Sequence, residues 1–283
     1  MVKSKCRFMK QVYVIAEIGI NHNGSMDHAK KLIRQAHESE CHAVKFQKRN
    51  PDLCVPTDQK NRIRETPWGD MTYLEYKWKI EFDIKQYQLL RDYTKSLGMD
   101  FIVSCWDEQS VDDIENNVEV DFHKVASALT TDISFLNKLA ITGKPTILST
   151  GMCTSEQVDT AVEALGDSLK YILACTSTYP SVIDELNLNY IKTLQKNYPN
   201  IKAGFSNHYS GFDASLAATA LGSECIEFHI TDSRTQFGTD QAASIENSKE
   251  IVRQINIVSR MLGDGIKKVY DSEIPIMNKL RKV

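Results

Sequence analysis

The sequence alternates eight times between a short apolar segment and an amphipathic segment. The apolar segments are rich in β-branched residues and form nearly continuous hydrophobic runs, as buried parallel strands do. They begin at Val12, His42, Asp100, Asp121, Lys144, Leu169, Ile201 and Glu224. A regular strand–helix alternation of this kind predicts a parallel sheet covered by helices.

Eight strand–helix units in 283 residues predict a closed barrel. The predicted fold class is α/β, a (β/α)8 TIM barrel that forms a single domain over residues 1–283. We expect its strands between about 12 and 231, a polar insert from Pro51, and a long C-terminal helix and tail over 244–283. The tail would either cover the barrel or lead toward another domain. The competing open, doubly wound sheet is disfavoured because no GxGxxG turn follows the first strand.

Composition narrows the class of protein further. The net charge of −3 gives no electrostatic basis for binding nucleic acid or a membrane surface. No apolar run approaches the length of a membrane-spanning helix, and the basic N-terminal segment is too polar for a signal peptide. The seven cysteines are an odd number without a CxxC pair, which indicates reduced thiols. We therefore expect a cytoplasmic protein with neither nucleic-acid nor membrane partners.

Polar residues collect where the predicted strands end. In TIM barrels the active site lies at the C-terminal ends of the strands, so these side chains are the candidates for chemistry. They are Glu17, Asn21, His22, Lys45, Gln47, Ser104, Cys105, Asp107, Lys124, Ser127, Ser149, Thr150, Thr176, Ser177, Tyr179, Ser206, Asn207, His208, Glu227 and His229, with Asp240 in the loop beyond.

Two lysines, Lys45 and Lys124, stand within predicted buried strands, where an unpaired lysine is rare. An anion would supply the missing partner. Lys124, together with the hydroxyls of nearby strand ends, would form a ring of phosphate donors. The competing interpretation is that each lysine pairs with a barrel carboxylate, Glu17 or Glu227. The hydroxyls of this ring are those of Ser127, Ser149 and Ser206.

His208 and His229 end neighbouring strands, so their imidazoles can converge on one divalent cation. Two histidine ligands would leave open positions for water or a substrate oxygen. Position alone also allows a hydrogen-bonded or acid–base histidine, and it does not separate this pair from His22 and His123.

Seven ordered motifs carry a family resemblance. They are AEIGINHNG from Ala16, KFQ from Lys45, KVAS from Lys124, STGM from Ser149, CTSTYP from Cys175, GFSNH from Gly204 and EFHIT from Glu227. In order and spacing, from about Tyr13 to the end, the sequence resembles the catalytic barrel of the N-acetylneuraminate (sialic acid) synthase family. That family includes the legionaminic, pseudaminic and related nonulosonic acid synthases.

The resemblance implies a transferase that forms a C–C bond. Phosphoenolpyruvate would condense with the open-chain aldehyde of an N-acyl hexosamine, such as N-acetylmannosamine, to give a nine-carbon 2-keto acid and phosphate with C–O cleavage. It implies a divalent cation on His208 and His229, first Mn²⁺, with Mg²⁺ or Co²⁺ as alternatives, which would polarise the aldehyde oxygen.

The resemblance also implies roles for single residues. The residues implied to bind phosphoenolpyruvate are Lys45, Ser104, Lys124, Ser127, Ser149 and Ser206. Those implied to contact the acceptor or form the wall are Asn21, Gln47 and Tyr179. Glu17, Lys45 and Asp240 are implied as catalytic, with Glu17 activating water or moving a proton, and Asp240 contacting the acceptor or supporting the metal ligands.

The sequence departs from the family pattern at four places that we expect to lie near the acceptor. Asn207 replaces the usual aspartate before the first metal histidine, and Phe228 replaces the usual lysine before the second. Leu129 stands where an acidic residue usually follows the KVAS motif, and Gln241 lies in an altered loop. We therefore expect the phosphoenolpyruvate half of the site to be retained and the acceptor half to differ.

Partners and alternatives follow from the same resemblance. Family members usually continue into an antifreeze-like domain that caps a partner's barrel, which implies a homodimer or a separate cap chain here. One alternative function is a 3-deoxy-ulosonate synthase with a different, phosphorylated aldose as acceptor. A second is an inactive barrel that acts as a binding protein. Arginines available for a phosphorylated acceptor are Arg49, Arg62, Arg64 and Arg234.

Overall fold

The computed structural model describes residues 11–282, and within them eight parallel strands close into a barrel. The barrel strands are β1 (Tyr13–Gly19), β2 (Ala43–Lys48), β5 (Asp100–Cys105), β6 (Phe122–Val125), β7 (Thr146–Ser149), β8 (Leu169–Cys175), β9 (Lys202–Asn207) and β10 (Cys225–His229). Around the barrel they follow the order β1-β10-β9-β8-β7-β6-β5-β2. The predicted (β/α)8 TIM barrel is confirmed.

One helix follows each barrel strand and packs on its outer face. These helices are α1 (Met26–Glu38), α4 (Ile84–Ser96), α5 (Glu108–Asn117), α6 (Ile133–Ile141), α7 (Ser155–Leu165), α8 (Tyr190–Asn197), α9 (Asp213–Ala220) and α10 (Ser248–Leu262). All of them except α8 and α9 start at a side-chain cap, as at Asp83, which accepts a hydrogen bond from the backbone N–H of Gln86 at the start of α4.

The insert after β2 has its own secondary structure, which the sequence pattern did not predict. It contains α2 (Pro51–Cys54), a hairpin of β3 (Ile63–Arg64) and β4 (Met71–Thr72), and α3 (Tyr73–Ile80). Tyr76 and Ile80 of α3 are buried against Ile20 and the partly buried Phe237. The insert is therefore held against the C-terminal end of the barrel.

Side chains alternate along each strand between two cores. The outer core lies between the strands and the helices and includes Val14, Ala16 and Ile18 of β1. The inner core fills the N-terminal half of the barrel, and we call it the barrel floor: Tyr13, Ile15, Ala43, Ile102, Phe122, Ile147, Tyr171, Leu173 and Cys225. Because side chains alternate with a period of two, the inward positions beyond this floor point into the C-terminal half.

The C-terminal segment differs from the prediction. The long helix begins at Ser248 rather than near 244, because Ile245 is still extended and forms a parallel bridge with Ile230. The tail carries a further helix, α11 (Ile274–Leu280), whose residues are mostly exposed, so this tail does not cover the barrel. Within residues 11–282, the structure has no helix that is long and apolar enough to span a membrane.

Candidate active site

The inward positions change from apolar to polar along each strand. On β1, Ile15 belongs to the barrel floor, whereas Glu17, two residues later, is fully buried and faces the C-terminal half. The same change separates Ile147 from Ser149 on β7 and Cys225 from Glu227 on β10. Strand periodicity thus collects polar groups from different strands on top of an apolar layer.

These groups line a cavity of about 140 Å³ at the C-terminal end of the barrel. Its lining consists of Glu17, Lys45, Gln47, Ser104, Trp106, Lys124, Ala126, Ser127, Ala128, Ser149, Met152, Ser177, Tyr179, Ser206, His208, Glu227 and His229. Eleven of the thirteen predicted site residues are in this lining, and the other two, Asn21 and Asp240, are not. The volume corresponds to about five liquid water molecules, which suits a small organic anion.

The two lysines contact both carboxylates and hydroxyls. Lys45 Nζ lies 3.0 Å from Glu17 Oε2 and 3.7 Å from Glu227 Oε1. Lys124 Nζ donates to Ser149 Oγ at 2.5 Å and lies 3.9 Å from Glu227. The lysines therefore pair with barrel carboxylates, and Ser149 lies beside Lys124, while an anion bound at these positions stays a prediction.

The two carboxylates have opposite pKa shifts. Burial raises the pKa of Glu17 above its usual range, and the attraction of Lys45 only partly offsets this effect. Burial acts in the same direction on Glu227, but Lys124 and Lys45 outweigh it and lower the pKa of Glu227 to about 2. Glu227 is thus the ionised counter-ion of the lysines, whereas Glu17 can hold a proton.

The two predicted metal histidines are adjacent, with ring centroids 5.3 Å apart. His208 Nδ1 donates to the carbonyl oxygen of Thr176 at 2.8 Å, so in the neutral ring Nε2 is the acceptor, and it lies 2.9 Å from the Tyr179 hydroxyl. Burial lowers the pKa of His229 to about 3, which keeps that imidazole neutral and able to ligate.

The donor set fits a cation that keeps open coordination positions. Within residues 11–282, no three His, Cys, Asp or Glu side chains form a complete metal site. The buried Nδ1 of His229 has no hydrogen-bond partner in the described part of the chain, and the carboxylate of Asp240 is 3.5 Å away. Two imidazoles with a nearby carboxylate can therefore hold a divalent cation whose other ligands are water or substrate.

The structure distinguishes His208 and His229 from the other two candidates near strand ends, His22 and His123. His123 is fully buried on the outer face of β6 and lies 2.8 Å from the carboxylate of Glu115. His22 stacks on Phe82 with ring centroids 4.1 Å apart. Neither lines the cavity, so both are structural.

The remaining predicted residues lie around the rim or outside it. Asn21 donates from Nδ2 to the Ile230 carbonyl and to Ser244 Oγ, both at 2.8 Å, and so ties the first loop to the last. Gln47 donates to Glu17 Oε1 at 2.6 Å on the cavity wall. Asn21 thus supports the site without facing it.

Several lining residues were not assigned a role from the sequence. Trp106 and Met152 line the cavity through side chains that follow β5 and β7, and neither carries a charge or hydroxyl that would have marked it. Cys175 Sγ lies 3.7 Å from His208 Nδ1, and although burial raises its pKa, His208 lowers it to a net value of about 7.

None of the four departures lines the cavity, and their proximity to the acceptor stays a prediction. Phe228 is fully buried in the outer core, and Leu129 packs against that core. The Asn207 amide donates to Ser215 Oγ at 3.2 Å, behind the strand rather than in the cavity. Gln241 is buried but does not line the cavity. Asn207 and Phe228 face away from the cavity because neighbours in a strand point to opposite faces.

A closed parallel barrel with a polar cavity at its C-terminal strand ends defines a TIM-barrel enzyme. Within that class, the chain belongs to the NeuB family, whose sequence profile matches residues 32–267. This finding confirms the resemblance.

Named relatives agree with this assignment. Human N-acetylneuraminate-9-phosphate synthase is 37% identical, over 95% of this chain and 76% of its own length. N,N'-diacetyllegionaminic acid synthase of Campylobacter jejuni is 35% identical, over 97% of this chain and 84% of its own length. The crystal structure of a sialic acid synthetase from Leptospira borgpetersenii, in complex with citrate, superimposes with a TM-score of 0.84 at 28% identity, covering 96% of this chain and 93% of that one.

Proposed function

We propose that the protein is a phosphoenolpyruvate-dependent synthase that condenses this anion with the aldehyde of an N-acyl hexosamine to form a nonulosonic acid. The observation that carries the proposal is the pair of buried lysines, Lys45 and Lys124, among serine hydroxyls at the closed end of the cavity. The names of two relatives, N-acetylneuraminate-9-phosphate synthase and N,N'-diacetyllegionaminic acid synthase, support it.

The phosphate group of phosphoenolpyruvate binds Lys124 and the serine hydroxyls, and its carboxylate binds Lys45. These charged hydrogen bonds replace the contacts that the lysines make with Glu17 and Glu227. Ser104 Oγ is buried without a hydrogen-bond partner among residues 11–282 and supplies a further donor. The serines in this set are Ser127, Ser149 and Ser206.

His208 and His229 would hold a divalent cation, with Mn²⁺ as the first candidate, which would supply Lewis-acid polarisation of the acceptor's aldehyde oxygen. Gln47 and Tyr179 contact the acceptor from the wall, and Tyr179 turns its hydroxyl away from His208 Nε2. Asp240 orients His229, whose Nδ1 faces it at 3.5 Å.

The bonds change in the following order. C3 of phosphoenolpyruvate attacks the aldehyde carbon, a water adds to the cationic C2, and the C2–O bond breaks so that phosphate leaves with the electron pair. Glu17, whose pKa is raised by burial, gives its proton to the alkoxide formed from the aldehyde oxygen and, once ionised, accepts one proton from the attacking water, whose other proton leaves with the phosphate. The products are a 2-keto acid and phosphate.

We expect the protein to release phosphate and form a 2-keto acid when Mn²⁺, phosphoenolpyruvate and an N-acyl hexosamine are present together. His208→Ala should lower the Mn²⁺ affinity, measured by electron paramagnetic resonance, by more than about tenfold, and should abolish turnover. The exposed His37→Ala serves as the control and should keep both. Absence of phosphate release with every neutral and phosphorylated N-acyl hexosamine would refute the synthase assignment and favour an inactive barrel.

A further inference from the structure

The Tyr179 side chain lies over both histidines of the proposed metal site. Its ring packs on that of His208 with the centroids 4.1 Å apart, and it meets the ring of His229 edge-on at 5.5 Å. Its hydroxyl lies 2.9 Å from His208 Nε2. One side chain therefore contacts both imidazoles and forms a hydrogen bond to one of them.

This hydrogen bond uses the nitrogen of His208 that is able to ligate. The other nitrogen, Nδ1, donates to the backbone carbonyl oxygen of Thr176 at 2.8 Å. In the neutral ring the lone pair is then on Nε2, and the hydroxyl of Tyr179 donates to it. A cation bound to His208 needs the same lone pair. The cation and the hydroxyl therefore exclude each other at Nε2.

The backbone beside Tyr179 is held in place, so the side chain is the part that can move. Ser181 donates from its backbone N–H to the carbonyl oxygen of His208 at 2.9 Å. The Ser181 hydroxyl lies 3.0 Å from the carbonyl oxygens of both Thr176 and Thr178. These bonds fix the loop after β8 to the end of β9, and they hold Tyr179 opposite His208.

The Tyr179 side chain has room to turn outward. It is 42% exposed at the mouth of the cavity, and its neighbours Thr178 and Pro180 are exposed as well. Rotation about the Cα–Cβ bond to another staggered position can carry the hydroxyl away from the imidazole and into water. Because water replaces the lost hydrogen bond, the rotation costs only the small net free energy of one neutral hydrogen bond.

Resting on the proposed function, we propose that the hydrogen bond from Tyr179 to His208 is a latch on the metal site. A divalent cation binds His208 and His229 only in the fraction of molecules whose Tyr179 side chain is turned toward the mouth. The apparent affinity for the cation is therefore lower than the intrinsic affinity by that fraction. Tyr179 thus controls occupancy of the metal site in addition to forming part of the cavity wall.

The competing role for this hydroxyl is to support the cation, either as a ligand or as a hydrogen-bond partner of a bound water. In that role the oxygen of Tyr179 would strengthen cation binding, whereas in the latch it weakens binding. Removal of the oxygen therefore has opposite effects under the two roles.

The test is the affinity of the full chain for Mn²⁺ alone, measured by electron paramagnetic resonance without substrates. Tyr179→Phe keeps the ring but removes the hydroxyl, so it should bind Mn²⁺ about fivefold more tightly than the wild type, the factor that corresponds to one neutral hydrogen bond. Tyr179→Leu also lacks the hydroxyl and should show a gain of at least this size. Tyr93→Phe is the matched control, because the Tyr93 hydroxyl contacts Arg34 on the outer helices, and its affinity should be that of the wild type.

A double-mutant cycle tests whether the gain acts through His208. In a His208→Ala background the hydroxyl has no imidazole to cover, so Tyr179→Phe should leave the remaining Mn²⁺ affinity unchanged. An equal gain in that background would overturn the latch.

The hydrogen bond itself is tested without metal by the ¹⁵N chemical shift of His208 Nε2 in histidine-labelled protein containing EDTA. Tyr179→Phe should shift this resonance, and Tyr93→Phe should leave it in place. An unshifted resonance in Tyr179→Phe would show that no latch forms.

Equal or weaker Mn²⁺ binding by Tyr179→Phe would also overturn the latch, and it would leave the synthase assignment intact if the wild type releases phosphate. If neither the wild type nor Tyr179→Phe binds Mn²⁺, the metal site and the latch on it both fail. Phosphate release by the wild type then reports separately on the synthase assignment.

Discussion

At the scale of single residues, burial determines which ionisable groups are charged. His22 is almost fully buried, stacks on Phe82 and accepts a hydrogen bond from the backbone N–H of Gly24 at 3.0 Å. Burial is the largest cause that lowers its pKa, to about 3. The imidazole therefore stays neutral in the folded protein at pH values where an unfolded chain protonates it.

This difference makes the stability of the protein sensitive to acid. Below the unfolded pKa of about 6.5, the unfolded state binds the proton that the folded state excludes, so the free energy of unfolding falls as the pH drops toward 3. At pH 5, one such histidine contributes a loss of roughly 2 kcal/mol relative to pH 7. We predict that His22→Leu reduces the loss between pH 7 and pH 5 by about this amount, measured by urea unfolding.

His22→Leu should also be less stable at pH 7, because it gives up the hydrogen bond to Gly24. The exposed His37→Gln provides the comparison and should show the wild-type pH dependence. An unchanged pH dependence in His22→Leu would show that the imidazole becomes protonated in the folded state.

Sequence patterns located the polar residues of the candidate site but not the apolar residues that also line the cavity. Charged and hydroxyl residues such as Lys124 and Ser206 are conspicuous within an apolar strand, so their inward position could be predicted. Trp106 and Met152 are apolar and look like core residues until the barrel closes around them. Phe228 was misplaced for the opposite reason, since its neighbours in sequence face the cavity while its own side chain faces the helices.

At the scale of secondary-structure elements, two segments pack against each other over the mouth of the barrel. The hairpin of β3 and β4 together with α3 supplies Trp68 and Tyr76, and the loop after β10 supplies Phe237 between them. The ring of Phe237 contacts Trp68 at 6.2 Å and Tyr76 at 5.6 Å between centroids. This single side chain links the insert to the loop that carries Asp240.

We predict that Phe237→Ala loosens the insert while the barrel stays folded. Loss of these ring contacts should lower the local free energy of opening, and the amides of residues 63–80 should exchange at least about tenfold faster in hydrogen exchange measurements. Trp78→Ala is the matched control, because Trp78 is exposed on α3. Equal protection of residues 63–80 in Phe237→Ala and in the wild type would contradict this role.

The regular elements could be predicted because each strand and helix carries its own periodicity and end signals, as at Asp83 before α4. The insert could not be predicted, because its strands are two residues long and its stability comes from tertiary contacts. These contacts are with Ile20, which precedes the insert, and with Phe237, which follows it by more than a hundred and fifty residues. The start of α10 was shifted by a bridge between Ile230 and Ile245, which no local pattern indicates.

At the scale of the whole molecule, closure of the barrel depends on close approach of strands in its interior. A Cβ atom on Gly204 of β9 would lie 2.3 Å from the backbone oxygen of Cys225 on β10 and 2.7 Å from Leu173 Cδ2 on β8. The first contact involves backbone, so relief would require the strands to separate. A glycine is therefore needed at this interior position.

We predict that Gly204→Ala destabilises the protein by about 3 kcal/mol or more, detected as a lower midpoint of thermal or urea unfolding. Gly211→Ala is the comparison, since its added Cβ would meet mainly the movable ring of Tyr209, and it should cost less than about 1 kcal/mol. A Gly204→Ala protein as stable as Gly211→Ala would mean that the two strands can separate at little cost.

The barrel floor makes the cavity blind-ended. Among the described residues, its apolar side chains, Ile15 and Ile147 among them, are fully buried and close the N-terminal side, so molecules enter and leave at the C-terminal mouth, where Tyr179 and Met152 are exposed. In the proposed reaction the deep anion must therefore enter before the sugar, and the free phosphate must wait until the long product has gone. One layer of apolar side chains thus imposes an ordered kinetic mechanism, in which phosphoenolpyruvate binds first and phosphate is released last.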